Sequence, residues 1–533
     1  MASADLTSGA LLTLLCVIAP GLLISALLEQ MLDPRPLPLW RRDRYDQALH
    51  VGLWLALFVL EFLQLHRPWL AMLVTNLLLL VLVVVSNVKY RALREPFIVQ
   101  DFEYFIDMLK HPRLYLPFFG LWRLCLFIGL AIAALAFGIA LEPSLSMRVG
   151  LSQTLSASLL LSLVAGVLLW LGMRAGTALQ FKPLTDLQRH GLLASLWRYG
   201  VAQCGPKVSV ETLSNLPRIS TRTGNSTASL SLSENAPNIV LVQSESFFDP
   251  RLTYPQVKQS VLQHFDRLRA SASFHGTLQV PVWGANTLRT EFSVLTGLAP
   301  ESLGIDRFNP YLRLATSQTP SLARIYKQRG YKTICIHPFP ASFYRRNQAF
   351  AAFGFDQFID IAAFKTSTPD GPYISDAALA QEVSQLLTEA IEQPLFIFVI
   401  TMENHGPLYL ETLTPEDTQQ WLSQDLPRGC DDLPKYLRHL GNADQMFASL
   451  SRSLTQTLRP GVLGVYGDHV PIMQNVYQRL GLPKKNTPYF VWRTDNKLEN
   501  DQIWVQGTSK PLRQTAVDPL PAHELAALLC SLS

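Results

Sequence analysis

Five stretches in the first third of the chain are almost free of polar residues: Gly9 to Leu28, Val51 to Leu65, Trp69 to Val88, Gly120 to Leu141 and Leu151 to Met173. A helix that crosses a bilayer needs about 20 predominantly apolar residues, so the pattern predicts five spans. The second is the shortest and holds Glu61 and Gln64. The first reads as a retained anchor rather than a signal peptide: Met1 to Ser8 contains no Lys or Arg, and the apolar run is too long for a cleaved leader. Arg94 to His111 (REPFIVQDFEYFIDMLKH) is too polar to span. Its residues Phe97, Ile98, Phe102, Phe105, Ile106 and Leu109 recur at helical spacing, which predicts an interfacial helix near 94–111.

Beyond Arg174 the pattern changes. Residues 205–236 are rich in Ser, Thr, Asn and Pro, the composition of an extended linker. After them, short apolar runs alternate with helical periodicity. Buried strands are predicted at Asn238 to Gln243, Thr333 to Ile336, Leu395 to Thr401, Val462 to Tyr466 and Tyr489 to Trp492, with a further strand-like run from Thr277 to Val282. Helices are predicted at Gln259 to Ala270, Ser321 to Arg329, Ser375 to Glu392 and Tyr436 to Thr457. Such alternation implies an α/β domain around a largely parallel sheet. The expected organisation is an all-α polytopic membrane domain over 1–175, a juxtamembrane segment and linker over 176–236, and a catalytic α/β domain over 237–533.

Composition agrees with this division. Charged residues make up 16 % of the 533-residue chain, against roughly 25 % in soluble proteins, and mean hydropathy is +0.17. The deficit is concentrated in the five apolar stretches. A formal net charge of +4 with no strongly basic stretch excludes a nucleic-acid binder. The six cysteines form no CxxC pair and give neither a zinc site nor a disulfide framework. Loop charge bears on orientation. Arg35, Arg41, Arg42 and Arg44 follow the first span, and Lys89, Arg91, Arg94, Lys110 and Arg113 follow the third, whereas the alternate connections hold only Arg67 and Arg148. Taken alone, the positive-inside rule puts the Arg-rich loops, and with them the C-terminal domain, in the cytoplasm.

In open α/β sheets functional groups gather beyond the carboxyl ends of the strands. The predicted strands are followed there by Ser244-Glu245-Ser246, by His337, by Met402-Glu403-Asn404-His405-Gly406 and by Gly467-Asp468-His469. Any one of these is ordinarily a solvated or capping residue; the signal is their coincidence at four strand ends. Carboxylates with imidazole suit a divalent cation. Thr287, in the run Gly284-Ala285-Asn286-Thr287-Leu288-Arg289-Thr290-Glu291-Phe292, stands where helix-compatible sequence begins. A lone Thr there is by default an N-cap; the functional reading is a nucleophile activated by a metal.

At these residues the chain resembles the lipoteichoic acid synthase-like phosphoglycerol transferases of the alkaline phosphatase/sulfatase superfamily. The resemblance is carried by PNIVLVQSESF, GANTLRTEFSVLTGL, GYKTICIHPFPASFYRRNQAFAAFGFDQFID, TMENHGP and VYGDH. It implies metal ligands at Glu245, Thr287, Asp468 and His469, with Thr287 also the nucleophile that becomes phosphorylated. It implies substrate-binding positions at His337, Tyr344, Arg346 and His405. His405 is then a proton donor to the leaving alcohol or a phosphate ligand, and Arg346 a planar fork for phosphate oxygens. Tyr344 stands where these synthases usually have Trp, and Asn286 where a glycine-rich run is common. Glu403 is not a ligand in the family.

The resemblance further implies a divalent metal ion, Mn2+ foremost with Mg2+ or Zn2+ as alternatives, and a phosphatidylglycerol-like donor in the membrane. The acceptor is an envelope glycan or lipid, and the catalytic domain lies outside the cytoplasm, against the loop-charge count. The alternatives are a phosphoethanolamine transferase, a phosphohydrolase or sulfatase, and a non-catalytic membrane sensor. A sulfatase needs a Cys/Ser-x-Pro-x-Arg segment that Thr287-Leu288-Arg289-Thr290-Glu291 does not provide, and a complete ligand set opposes the sensor.

Overall fold

The computed structural model describes residues 2–104, 120–174, 178–210, 213, 214, 216, 236–364, 371–495 and 519–532. The chain forms two compact units, Met1–Pro206 and Lys207–Ser533.

The first unit contains five helices long and apolar enough to cross a membrane: α1 (Ala2–Glu29), α2 (Arg44–Leu65), α3 (Pro68–Leu93), α4 (Leu121–Leu141) and α5 (Leu151–Arg174). The span expected to be shortest, α2, begins ahead of its apolar run because its first turns are polar yet buried. Asp43 caps it by accepting the Tyr45 N–H at 2.9 Å. Asp46 accepts hydrogen bonds from Arg198 Nη2 at 2.8 Å and pairs with His190 Nδ1 at 2.7 Å. His50 Nε2 lies 2.9 Å from Ser25 Oγ. Two further helices, α6 (Pro183–His190) and α7 (Leu192–Cys204), supply His190 and Arg198. They occupy the stretch read as juxtamembrane and belong to this unit. Gly191 separates them at φ +83°, where a Cβ would come within 1.9 Å of Arg42 Nη1.

The interfacial helix expected near 94–111 does not form over its first residues. Arg94 ends α3 in the left-handed region at φ 55°, and Pro96 disfavours helix at Glu95. A 3-10 turn, Val99–Tyr104, follows, held by Lys89 Nζ on Asp101 at 2.7 Å and on Glu95 at 2.9 Å. Residues 105–111, and most of the expected linker, lie outside the described residues.

The second unit is built on one eight-stranded sheet: β1 (Asn238–Ser244), β2 (Phe274–Gln279), β3 (Lys332–Ile336), β4 (Gln357–Ile359), β5 (Leu395–Ile400), β6 (Gly461–Gly467), β7 (Thr487–Arg493) and β8 (Leu520–Pro521). Their order is β4-β3-β5-β1-β6-β7-β2-β8. Only β7 runs against the others, antiparallel to both β6 and β2. The central strand β1 pairs in parallel on both sides, Val240 opposite Ile397 and Leu463. Every residue of β1, β5 and β6 is buried, which is why these strands read as continuous apolar runs rather than alternating ones.

Helices α8 (Gln263–Ala270), α9 (Thr287–Thr296), α10 (Leu322–Gln328), α11 (Arg346–Phe353), α12 (Asp376–Glu389) and α13 (Asp432–Gln456) accompany the sheet. Leu437, Leu440, Phe447, Leu450 and Leu454 of α13 are fully buried in one core with Val240, Ile397 and Leu463. The parallel run β3-β5-β1-β6 brings four carboxyl ends side by side, which is the condition for one site to draw on all of them.

Candidate active site

The ends of β1 and β6 are adjacent by register, Ser244 opposite Gly467. The next residues are therefore neighbours. Glu245, Asp468 and His469 are buried, and their ligand atoms lie within 4.8 Å of one another. Asp468 Oδ1 accepts the backbone N–H groups of Ser246 and His469, each at 2.8 Å. Its Oδ2 is buried without a hydrogen-bond partner. His469 Nδ1 lies 3.1 Å from the Val470 carbonyl. That bond takes the N–H, so the lone pair sits on Nε2. Nε2 is 3.3 Å from Thr287 Oγ1, 3.4 Å from Asp468 Oδ2 and 3.7 Å from Glu245 Oε1.

This donor set fits a divalent cation. An orphaned buried carboxylate oxygen, a second carboxylate, an imidazole lone pair and a hydroxyl converge there. Burial and the Asp468 charge push the Glu245 carboxyl up to about 8, against the weaker opposing pull of His469 and Arg346. Thr287 opens α9, so its hydroxyl stands at the positive end of a ten-residue helix. Thr290 Oγ1 donates to the Asp468 carbonyl at 2.9 Å and ties that helix to the β6 loop.

The backbone around these residues is strained. Of seven described non-glycine residues with positive φ, four are Ser246, Asn286, Tyr344 and Arg345, all beside candidate site residues. Gly467 has a steric reason as well: a Cβ there would meet the Phe247 carbonyl oxygen at 1.9 Å.

A second group of expected residues forms a chain of contacts. His337, after β3, places Nδ1 3.2 Å from the Ile400 carbonyl and Nε2 3.1 Å from Arg346 Nη1. Burial and Arg346 hold it well below the usual imidazole range, so it is neutral: Nδ1 donates and Nε2 accepts. Arg346 lies over the Tyr344 ring at 5.3 Å.

The fork expected to grip phosphate is committed elsewhere. Arg346 Nε and Nη2 bond the two oxygens of Glu291 at 3.1 and 2.9 Å, and both side chains are buried. Glu291 also accepts from Tyr311 OH and from Gln243 Nε2 at 3.1 Å. It was present in the quoted motif without a role. The signal was its position four residues after Thr287, on the same face of α9.

His405 Nδ1 lies 2.6 Å from the Gly406 carbonyl and 3.3 Å from Tyr373 OH. Burial holds its pKa below the ordinary value, although Asp468 pulls it up. The resting ring is neutral, and with the N–H on Nδ1 the lone pair sits on Nε2. Tyr373 was not singled out in the sequence. Glu403 faces away from this chemistry, toward His439 on α13.

The fold and the site together define an α/β domain in which two carboxylates, an imidazole and a threonine hydroxyl meet in one buried cluster at the ends of parallel strands, in a chain that also holds membrane-type helices. The family model for sulfatases matches residues 237–518, and the chain belongs to that family. It is 28 % identical over 465 residues to the capsular polysaccharide biosynthesis protein RkpI of Rhizobium meliloti, covering 84 % of this chain and 82 % of that one. It is 27 % identical over 157 residues to lipoteichoic acid synthase of Staphylococcus saprophyticus, 28 % of this chain and 23 % of that one. The lipooligosaccharide phosphoethanolamine transferase A of Neisseria meningitidis shares the fold along 91 % of this chain and 94 % of its own, at TM-score 0.50 and 13 % identity.

Proposed function

We propose that the protein is a metal-dependent phosphotransferase that moves a phosphoglycerol-type headgroup from a membrane phospholipid to an envelope glycan or lipid, by way of phospho-Thr287, outside the cytoplasm. The observation that carries this is the buried Thr287 hydroxyl 3.3 Å from His469 Nε2, at a helix N-terminus beside Glu245 and Asp468. Glu245, Thr287, Asp468 and His469 would hold a divalent cation, which when bound would make the threonine hydroxyl more acidic and offset charge on the phosphoryl oxygens.

The α9 N-terminus offers backbone N–H groups to those oxygens. In the first half-reaction Thr287 Oγ1 bonds to phosphorus and the bond to diacylglycerol breaks. The Thr287 proton passes to neutral His405 and on to the leaving alkoxide. In the second, an acceptor hydroxyl displaces Thr287, and His405 carries its proton back to the threonine oxygen. With its fork held by Glu291 and its Nη1 by His337, Arg346 acts on the headgroup phosphate through its positive charge, His337 fixes the guanidinium in place, and Tyr344 packs on the organic part of the headgroup. A glycan acceptor is favoured because RkpI is named for making a capsular polysaccharide.

Phosphoethanolamine is the second reading, favoured by the fold shared with the Neisseria transferase. The Tyr344 ring already faces a guanidinium, which favours a neutral glycerol over an ammonium group at that ring. Purified full-length protein incubated with phosphatidylglycerol or phosphatidylethanolamine, followed by lipid mass spectrometry, separates the two: diacylglycerol is expected from phosphatidylglycerol. Thr287→Ala is expected to lower that release by a factor on the order of 10³ or more. Release at the wild-type rate by this variant would remove the nucleophile assignment.

A further inference from the structure

His439 has no part in the chemistry above. It is buried in α13, yet both of its ring nitrogens face carboxylates: Nδ1 is 3.0 Å from Glu403 Oε1 and Nε2 is 2.8 Å from Glu411 Oε2. A neutral imidazole has one N–H. Two carboxylate partners require two, so His439 is an imidazolium. Glu403 Oε2 also accepts the Asp376 N–H at 2.6 Å, at the start of α12, and Glu403 Oε1 accepts from Asn442 on α13. Glu411 is bonded in addition by Arg438. These contacts fasten both ends of the segment 403–411, and His405 lies within it.

We propose that His439 is a positioning residue for the transfer reaction: by pairing with Glu403 and Glu411 at once, it fixes the loop that presents His405. This rests on the assignment of proton transfer to His405. Remove the charge and two buried carboxylates lose their common partner, so the loop loosens at the point where a ring nitrogen must meet a proton. The charged and titratable groups around His439 are Glu403 and Glu411 on the loop, Arg438 on its own helix and Asp376 on α12. Asp376 is pushed well above the usual carboxyl range by burial and by Glu403. For His439 burial opposes the charge, but the two glutamates outweigh it and raise its pKa to about 9. The tether is therefore intact below that value and is lost as pH rises through it.

The test uses the full chain in detergent. His439→Gln is expected to lower kcat for diacylglycerol release by up to about 100-fold, the cost of misplacing a reacting group by about 1 Å, with KM unchanged. The alkaline limb of the wild-type profile, near pH 9, should vanish in this variant. Hydrogen exchange read by mass spectrometry should quicken across 403–411 and stay unchanged in β1 and β6. Glu411→Gln, which keeps the Glu403 pair, should give an intermediate loss. Wild-type kcat, a retained alkaline limb, or exchange that rises in β1 and β6 along with the loop would overturn the proposal, the last by reducing His439 to a stability role. If the wild type releases no diacylglycerol from either phospholipid, the proposed function fails. Exchange then still decides on His439: unchanged protection of 403–411 in His439→Gln overturns the tether.

Discussion

Asn286 shows how a departure from expectation is reconciled at one residue. A glycine-rich run was anticipated before the nucleophile, and the chain has Asn instead. Its φ and ψ are 62° and 38°, the left-handed region where glycine is freest and asparagine the best tolerated alternative. The position requires a conformation, and Asn meets it. Asn286→Gly is therefore expected to keep activity and folding. Asn286→Val, β-branched at positive φ, is expected to cost about 1–3 kcal/mol and to lower activity by tilting the start of α9. Thermal unfolding and diacylglycerol release measured on both variants check this; equal behaviour of the two would sink the conformational account.

At the scale of elements, the decisive contact joins α9 to α11 through Glu291 and Arg346. The pair is bidentate and fully enclosed, so removing one partner strands a buried charge. Glu291→Gln is expected to destabilise the catalytic domain by about 3–5 kcal/mol. Pairing Glu291→Leu with Arg346→Met should recover most of that stability while leaving turnover impaired. A double variant as unstable as the single one would contradict this.

The same pair marks the limit of what could be read from sequence. Glu245, His337, His405, Asp468 and His469 were legible because buried parallel strands announce themselves as apolar runs, and their carboxyl ends must lie together. The Glu291–Arg346 and Glu403–His439 pairs were not, because the partners are 55 and 36 residues apart and meet only through the packing of helices on the sheet. The early start of α2 was hidden for a related reason: Asp46 and His50 look like loop residues until His190, Arg198 and Ser25 give them buried partners.

For the whole molecule, loop charge and the proposed chemistry point to opposite orientations. Five crossings would put the connections after α1 and α3 on one side with the catalytic domain, and Arg35, Arg41, Arg42, Arg44, Lys89, Arg91, Arg94, Lys110 and Arg113 stand in or beside those two connections, against Arg67 and Arg148 at the alternate ones. Read as a topology signal, they draw the domain into the cytoplasm. Two of them have a folding role that accounts for their presence on either side. Arg42 is buried, with Nη1 2.5 Å from Glu29 Oε2 and Nε 2.7 Å from the Leu37 carbonyl, so it locks the end of α1 to the α1–α2 connection. Lys89 gathers Glu95, Asp101 and the Pro96 carbonyl around the end of α3. Residues kept for such bonds do not report on which side of the membrane they face. The proposed chemistry needs a phospholipid donor and an envelope acceptor in the same compartment, and the envelope acceptor lies outside. An alkaline phosphatase reporter fused after Ser533 is accordingly expected to be active, and a fluorescent protein that folds only in the cytoplasm is expected to be dark at the same site. The opposite pair of readings would return the domain to the cytoplasm and remove the envelope acceptor from the proposed reaction.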